Sequence, residues 1–139
     1  MHFQAYFKHT ITDQGFQNTT ANGRATGYQF EIRFPGYRGS HLSCITKLDL
    51  KLDGVAVDPA DVLFCLNGKE FLLAQLPELF VEYWFILDNA TLKVAKAGGL
   101  APGAHEVEVD FGYRVPYTGY YGNYIVAEGS HRRTLALGR

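Results

Sequence analysis

The chain has 139 residues and a formal net charge of −1, with 47% hydrophobic and 19% charged residues. That length fits one packed domain, and the apolar content excludes global disorder. The near-neutral balance removes any electrostatic case for nucleic acid or an anionic membrane, because both need a concentrated basic surface.

No apolar run reaches the ~20 residues that a membrane helix requires. The opening Met1-His2-Phe3-Gln4-Ala5-Tyr6-Phe7-Lys8 lacks the basic-then-apolar order of a secretion signal, so the expected compartment is the cytoplasm. Cys44 and Cys65 are too few and too far apart in sequence for a disulfide framework or a zinc site. They read as small hydrophobes in a reducing environment.

From the N-terminus onward, Asp13 to Thr26 is rich in Gly, Asn, Thr and Gln and reads as an exposed loop. Tyr28-Gln29-Phe30-Glu31-Ile32-Arg33-Phe34 then alternates apolar and polar residues, the period of a strand with one face in a core. Leu48, Leu50 and Leu52 repeat the pattern against Lys47, Asp49 and Lys51, and Asp53-Gly54 supplies a turn. Val62-Leu63-Phe64-Cys65-Leu66 leads into Asn67-Gly68, a two-residue hairpin signal, with Glu70 to Leu73 returning. Leu76-Pro77-Glu78-Leu79 offers one helical turn at most. Short strands are expected at Glu82 to Leu87 and Thr91 to Ala95, with Trp84 in the core. Val107, Val109 and Phe111 alternate with Glu106, Glu108 and Asp110 in a further strand. From Pro116 on, the chain carries Tyr117, Tyr120, Tyr121 and Tyr124 and then Arg132 and Arg133, a composition suited to lying across another protein.

Turn signals every ~8–12 residues point to an all-β fold. The expected architecture is an antiparallel β-sandwich, jelly-roll-like or barrel-like, with little helix. One domain over 1–139 is expected, with a loop at about 13–26 and an aromatic C-terminal tail at about 116–139.

Side chains that could carry chemistry read mainly as structure. Glu106, Glu108 and Asp110 line one strand face with valines behind them, the pattern of a solvated outer face rather than of two carboxylates across a bond. His2, His9, His41, His105 and His131 include no pair at metal-ligand spacing. Pro102-Gly103-Ala104-His105 resembles part of a cupin metal motif, but the paired histidines of such a site are missing. The parity of His105 with Val107 predicts a core-edge histidine bonded to backbone. There is no Gly-x-Ser-x-Gly elbow, and Gly98-Gly99 lacks the lysine of a phosphate loop. No catalytic residue and no metal ligand is assigned.

A different cluster is more informative. Arg33-Phe34-Pro35-Gly36-Tyr37-Arg38-Gly39-Ser40-His41 breaks a strand and gathers two guanidinium groups, a phenol and an imidazole in one bend. Arg114-Val115-Pro116-Tyr117 has similar chemistry at the end of another strand. If those strands are neighbours, their ends form one Arg/Tyr patch. The expected contact residues for a partner or a shared ligand are Arg33, Tyr37, Arg38, His41, Arg114, Tyr117, Tyr120 and Tyr121.

At these residues the chain resembles the small (β) subunit of bacterial C-glycoside deglycosidases. The resemblance is carried by the run Gly27 to Ile45, by the strand ending in Asp53-Gly54, and by Gly98 to Val109 followed by Arg114 and Tyr117. It departs from the family pattern at Pro35-Gly36-Tyr37, where Pro-Tyr-Tyr is expected, and at Arg114-Val115-Pro116-Tyr117, where Arg-x-Ser-Tyr is expected.

The resemblance implies a lyase made of two kinds of subunit. The larger is similar to sugar-isomerase TIM barrels and holds a divalent metal, taken as manganese, with the catalytic histidine. The substrate it implies is a plant polyphenol (flavonoid-type) C-glucoside already oxidised to the 3-keto sugar. The ketone acidifies a neighbouring C–H, so a base can start an elimination that breaks the carbon–carbon bond to the aglycone. The present chain would bind no cofactor itself, stabilise its partner and help wall the site. Two other readings stay open: a carbohydrate- or polyphenol-binding sandwich using Trp84 and the tyrosines as stacking platforms, and a stand-alone cupin-like metalloenzyme.

Overall fold

The computed structural model describes residues 4–36, 38–115 and 125–138. After a short helix, α1 (Gln4–Phe7), the described chain runs through eleven strands. These are β1 (Gln17–Ala21), β2 (Arg24–Arg33), β3 (Ser40–His41), β4 (Ile45–Leu52), β5 (Val55–Ala56), β6 (Val62–Leu66), β7 (Lys69–Leu72), β8 (Tyr83–Trp84), β9 (Asn89–Ala95), β10 (Gly103–Val115) and β11 (Ile125–Leu137). A five-stranded sheet has the order β1-β2-β9-β6-β7, and a four-stranded sheet the order β11-β10-β4-β5. A small ribbon pairs β3 with β8. The described pairings are antiparallel throughout, as expected of the all-β sandwich.

The period-two segments explain the two faces. Phe30 and Ile32 of β2, Leu48 and Leu50 of β4, and Val107, Val109 and Phe111 of β10 are all buried. Trp84 lies among them, its ring meeting Phe34 (5.2 Å between centroids), Phe64 (5.4 Å) and Phe111 (6.1 Å) edge-on. The acids between the β10 valines face outward. Glu108 lies 3.6 Å from both Lys51 and Arg132, and Glu106 lies 3.8 Å from Arg132. The outer-face reading of these carboxylates therefore holds.

Three hairpins use two-residue turns with both residues at positive φ: Asn22-Gly23, Asp53-Gly54 and Asn67-Gly68. An Asn or Asp followed by Gly tolerates that backbone, and the resulting turn follows the twist of the strands it joins. The Asn22-Gly23 turn corrects the expectation of a loop over 13–26, because Gln17–Ala21 pairs with β2 there. Its strand sequence, Gln-Asn-Thr-Thr-Ala, sits at a sheet edge and has no apolar alternation to reveal it. The strand expected over 82–87 shortens to Tyr83–Trp84, preceded by a 3-10 turn over Leu73–Glu78 that contains Pro77.

The largest correction concerns the C-terminal stretch. Of the tail expected over 116–139, residues 116–124 lie outside the described residues, and Ile125–Leu137 is a strand rather than a tail. It pairs with β10 from Val115↔Ile125 to Gly103↔Leu137 and puts Ala127, Leu135 and Leu137 into the core. His131 and Arg133 hide the period, because they occupy the inward parity where apolar residues would be expected. Their side chains instead hold the backbone of Ile11. The Ile11 N–H donates to His131 Nδ1 (2.9 Å), and Arg133 Nη1 donates to the Ile11 carbonyl (3.0 Å). Ile11 also bridges to Ile32 of β2. The N-terminal segment thus closes one seam between the two sheets.

Candidate functional site

The seam, the hairpins and the ribbon divide the polar and apolar side chains between two ends of the sandwich. At the first end the bend after β2 packs tightly. A Cβ on Gly36 would meet the Tyr113 hydroxyl at 2.7 Å, and one on Gly39 would run into the Trp84 carbonyl. Tyr113 donates its hydroxyl proton to the Pro35 carbonyl (3.2 Å), and its ring lies 4.6 Å from that of Phe34. β2 and β10 belong to opposite sheets, so their ends meet across the sandwich rather than side by side. Arg114 Nη2 donates to the Ser43 carbonyl (2.8 Å). The Leu42 and Ser43 N–H groups then donate to the carbonyls of Glu82 and Leu79.

Through this chain of contacts Arg38, His41 and Arg114 come to the same end, and Arg33 joins them opposite Asn89. Arg33, Arg38 and His41 are exposed, and Arg114 is half-buried. His41 stands edge-on to Tyr83 at 4.9 Å. Tyr37, Tyr117, Tyr120 and Tyr121 lie outside the described residues.

Sequence reasoning missed the apolar part of this end. Trp84 points inward, fully buried, with its indole N–H on the Asp88 carbonyl (2.8 Å). It therefore cannot serve as an exposed stacking platform. Its burial turns its neighbour Phe85 outward, where the ring meets Tyr83 at 4.8 Å. Phe80, Val81, Phe85 and Leu87 are 68%, 88%, 59% and 92% exposed. Ile125 and Val126, paired with Val115 and Arg114 at the same end, are each 47% exposed. The available signal was a dense apolar run after Pro77 with one large residue, Trp84, able to fill the interior.

The opposite end is finished by polar groups. Asp53, in the β4–β5 turn, accepts from the Glu106 N–H (2.8 Å) and from His105 Nδ1 (2.8 Å). His105 Nε2 faces the Ala101 carbonyl at 2.7 Å. Since a carboxylate and a carbonyl can only accept, this arrangement favours the form of His105 that carries a proton on both ring nitrogens. The bonds to Ala101 and Asp53 raise its pKa above 6.5, and the His105 bond holds the Asp53 carboxyl below its ordinary value. Asn18 pins the same loop twice, donating to the Leu100 carbonyl (3.0 Å) and accepting its N–H (2.9 Å). Beside this clasp lies an open cleft of about 630 Å³, floored by Tyr28, Val57, Val94 and Leu100. Burial, and then the Asp53 charge, push the Tyr28 phenol up to about 12.

The expected backbone-bonded role of His105 is therefore present, with Asp53 as a partner the sequence did not indicate. His131 accepts an amide proton, and its pKa is lowered by burial, with Arg133 and His9 adding to the effect. Cys44 and Cys65 are free thiols. Among the described residues no three His, Cys, Asp or Glu side chains converge as a metal ligand set, and no helix is long and apolar enough to cross a membrane.

A sequence profile of the family described as C-glycoside deglycosidase beta subunit matches residues 6–117. The chain is 34% identical over 111 residues to a protein of that description from Eubacterium cellulosolvens, an alignment covering 79% of this chain and 76% of the relative. It is 39% identical over 92 residues to the 3'-dehydrocarminate deglycosidase beta subunit of a Microbacterium species, covering 66% and 69%. A C-glycoside deglycosidase beta subunit of Arthrobacter globiformis is 35% identical over 98 residues, covering 70% and 72%.

Proposed function

Because the chain belongs to the C-glycoside deglycosidase β-subunit family, we propose that it is the non-catalytic small subunit of a lyase that cleaves the carbon–carbon bond of 3-keto C-glucosides. Membership of that family brings a partner subunit. The partner in this reading is a TIM-barrel catalytic subunit that holds the divalent metal, and it supplies the base that removes the proton beside the sugar ketone. The present chain stabilises that subunit and borders its active site.

The observation that supports this division of labour is how His105, His131, Glu106 and Glu108 are used. His105 spends both ring nitrogens on Asp53 and Ala101, His131 accepts the Ile11 amide, and Glu106 and Glu108 face Arg132 and Lys51. A general base must reach a substrate proton, and a metal-binding imidazole must offer a free nitrogen. These side chains are committed to holding strands and loops together.

The test is reconstitution. The purified chain, the catalytic subunit and their mixture are each given a 3-keto C-glucoside, and release of the aglycone is followed. Inactivity of the chain alone, with activity of the mixture well above that of the catalytic subunit alone, is the expected result. Turnover by the chain alone, or no gain on mixing, would refute the reading.

A further inference from the structure

We infer that the partner docks on the Trp84 end of the sandwich, with Phe80, Val81, Phe85 and Leu87 as its apolar centre. The surface it fits is an apolar hollow bordered by carboxylates on the catalytic subunit. This deepens the subunit reading and rests on it.

Three observations converge. First, four large apolar side chains in one short segment stand 59–92% exposed. Single exposed hydrophobics are common on monomers, whereas a cluster this dense marks a surface meant to be covered. Second, the segment is held firmly. The indole N–H of Trp84, the pairing of Ser40 with Trp84, and the Leu42 and Ser43 amides anchor its backbone. The exposed rings are thus displayed on a fixed scaffold, which lowers the ordering cost of binding. Ile125 and Val126, each 47% exposed, stand at the same end in the other sheet.

Third, the border is cationic. Arg33, Arg38 and Arg114 lie at this end with His41. Of the acids in the segment, Glu82 is paired with Lys69 at 3.1 Å, which leaves Glu78 and Asp88 to set against the formal charges of Arg33, Arg38 and Arg114. An apolar centre with arginines around it is the usual composition of an interface core and its border. Charge complementarity then requires acidic groups on the partner. The Asp53–His105 end differs in each respect. It carries Asp53, Asp58 and Asp61, the Leu100 amide and the Leu100 and Ala101 carbonyls are already bonded, and its exposed large hydrophobics, Val55 (69%) and Leu72 (51%), stand in different sheets.

The experiment measures association of the full-length chain with the catalytic subunit by calorimetry and size exclusion. Val81→Glu and Leu87→Glu alter side chains that make almost no contact within the chain, so both keep the wild-type thermal midpoint. Each weakens association by about a hundredfold, as expected of truncated or charged interface centres. Val55→Glu, at the other end, assembles like wild type. Arg33→Glu lowers the association rate several-fold at low ionic strength, and the difference fades as salt is added.

Wild-type affinity in both Val81→Glu and Leu87→Glu, or equal loss in Val55→Glu, would overturn the inference while leaving the subunit reading intact. A wild-type chain that does not bind the catalytic subunit at all would sink both.

Discussion

The Asp53–His105 end and the Trp84 end of the sandwich are built from similar parts, short turns and loops joining strands. They treat their side chains in opposite ways. At the first, the Asn18 amide bonds both backbone groups of Leu100, and His105 links the Ala101 carbonyl to the Asp53 carboxylate. At the second, backbone bonds fix the segment between Pro77 and β9, but its large apolar side chains remain in water. Exposed apolar area is costly and polar satisfaction is not, so the difference identifies the end that a second polypeptide completes.

The comparison breaks most severely at Trp84. Trp84→Ala empties the contact point of Phe34, Phe64 and Phe111 and costs about 3–5 kcal/mol in thermal or denaturant unfolding. Because the indole also anchors Asp88, partner binding falls with it. Asp53→Ala has a smaller effect and a different profile. It removes acceptors from His105 and the Glu106 amide at an exposed turn, at a cost of about 1 kcal/mol, and partner affinity stays unchanged. Should Asp53→Ala weaken docking as strongly as Leu87→Glu, the two ends would not be functionally distinct.

Arg114→Ala removes one bond to the Ser43 carbonyl from a half-exposed guanidinium and lowers stability by about 1 kcal/mol or less. Its effect on association is expected to exceed its effect on the thermal midpoint, which calorimetry on the complex would separate. The smallest effect is a pH dependence with two limbs. His105 binds its proton more tightly when folded, so its contribution is full below 6.5 and is lost as pH rises through its raised pKa. His131 binds its proton less tightly when folded, so its contribution is present above 6.5 and is lost as pH falls toward its lowered pKa. The sum gives a shallow maximum of thermal midpoint near 6.5. His105→Gln is expected to remove the alkaline limb and His131→Gln the acid limb.

Much of the fold was legible. Where one strand face is apolar and the other polar, as in β2, β4 and β10, the period alone locates the strand and its inward side. Asp53-Gly54 and Asn67-Gly68 announced their hairpins for the same local reason. β1 and β11 were not legible. The first is a polar edge strand, and the second places His131 and Arg133 where the apolar residues of a strand would stand. Of the candidate site, the arginine-rich bend was readable because Pro35-Gly36 interrupts a strong strand. The apolar centre was not, since Phe80, Val81, Phe85 and Leu87 look like core residues in a sequence that contains Trp84.

The sequence by itself determined the strand-rich architecture, the faces of its central strands and the family of the chain, because each depends on residues near one another in order. Tertiary structure decided which apolar residues are left outside. Between Phe34, Phe64 and Phe111 lies a space that one indole fills. Trp84 takes it, and the strand geometry then turns Phe85 to the surface. Competition for a fixed interior volume is settled only when distant strands meet, so no local pattern could have assigned it.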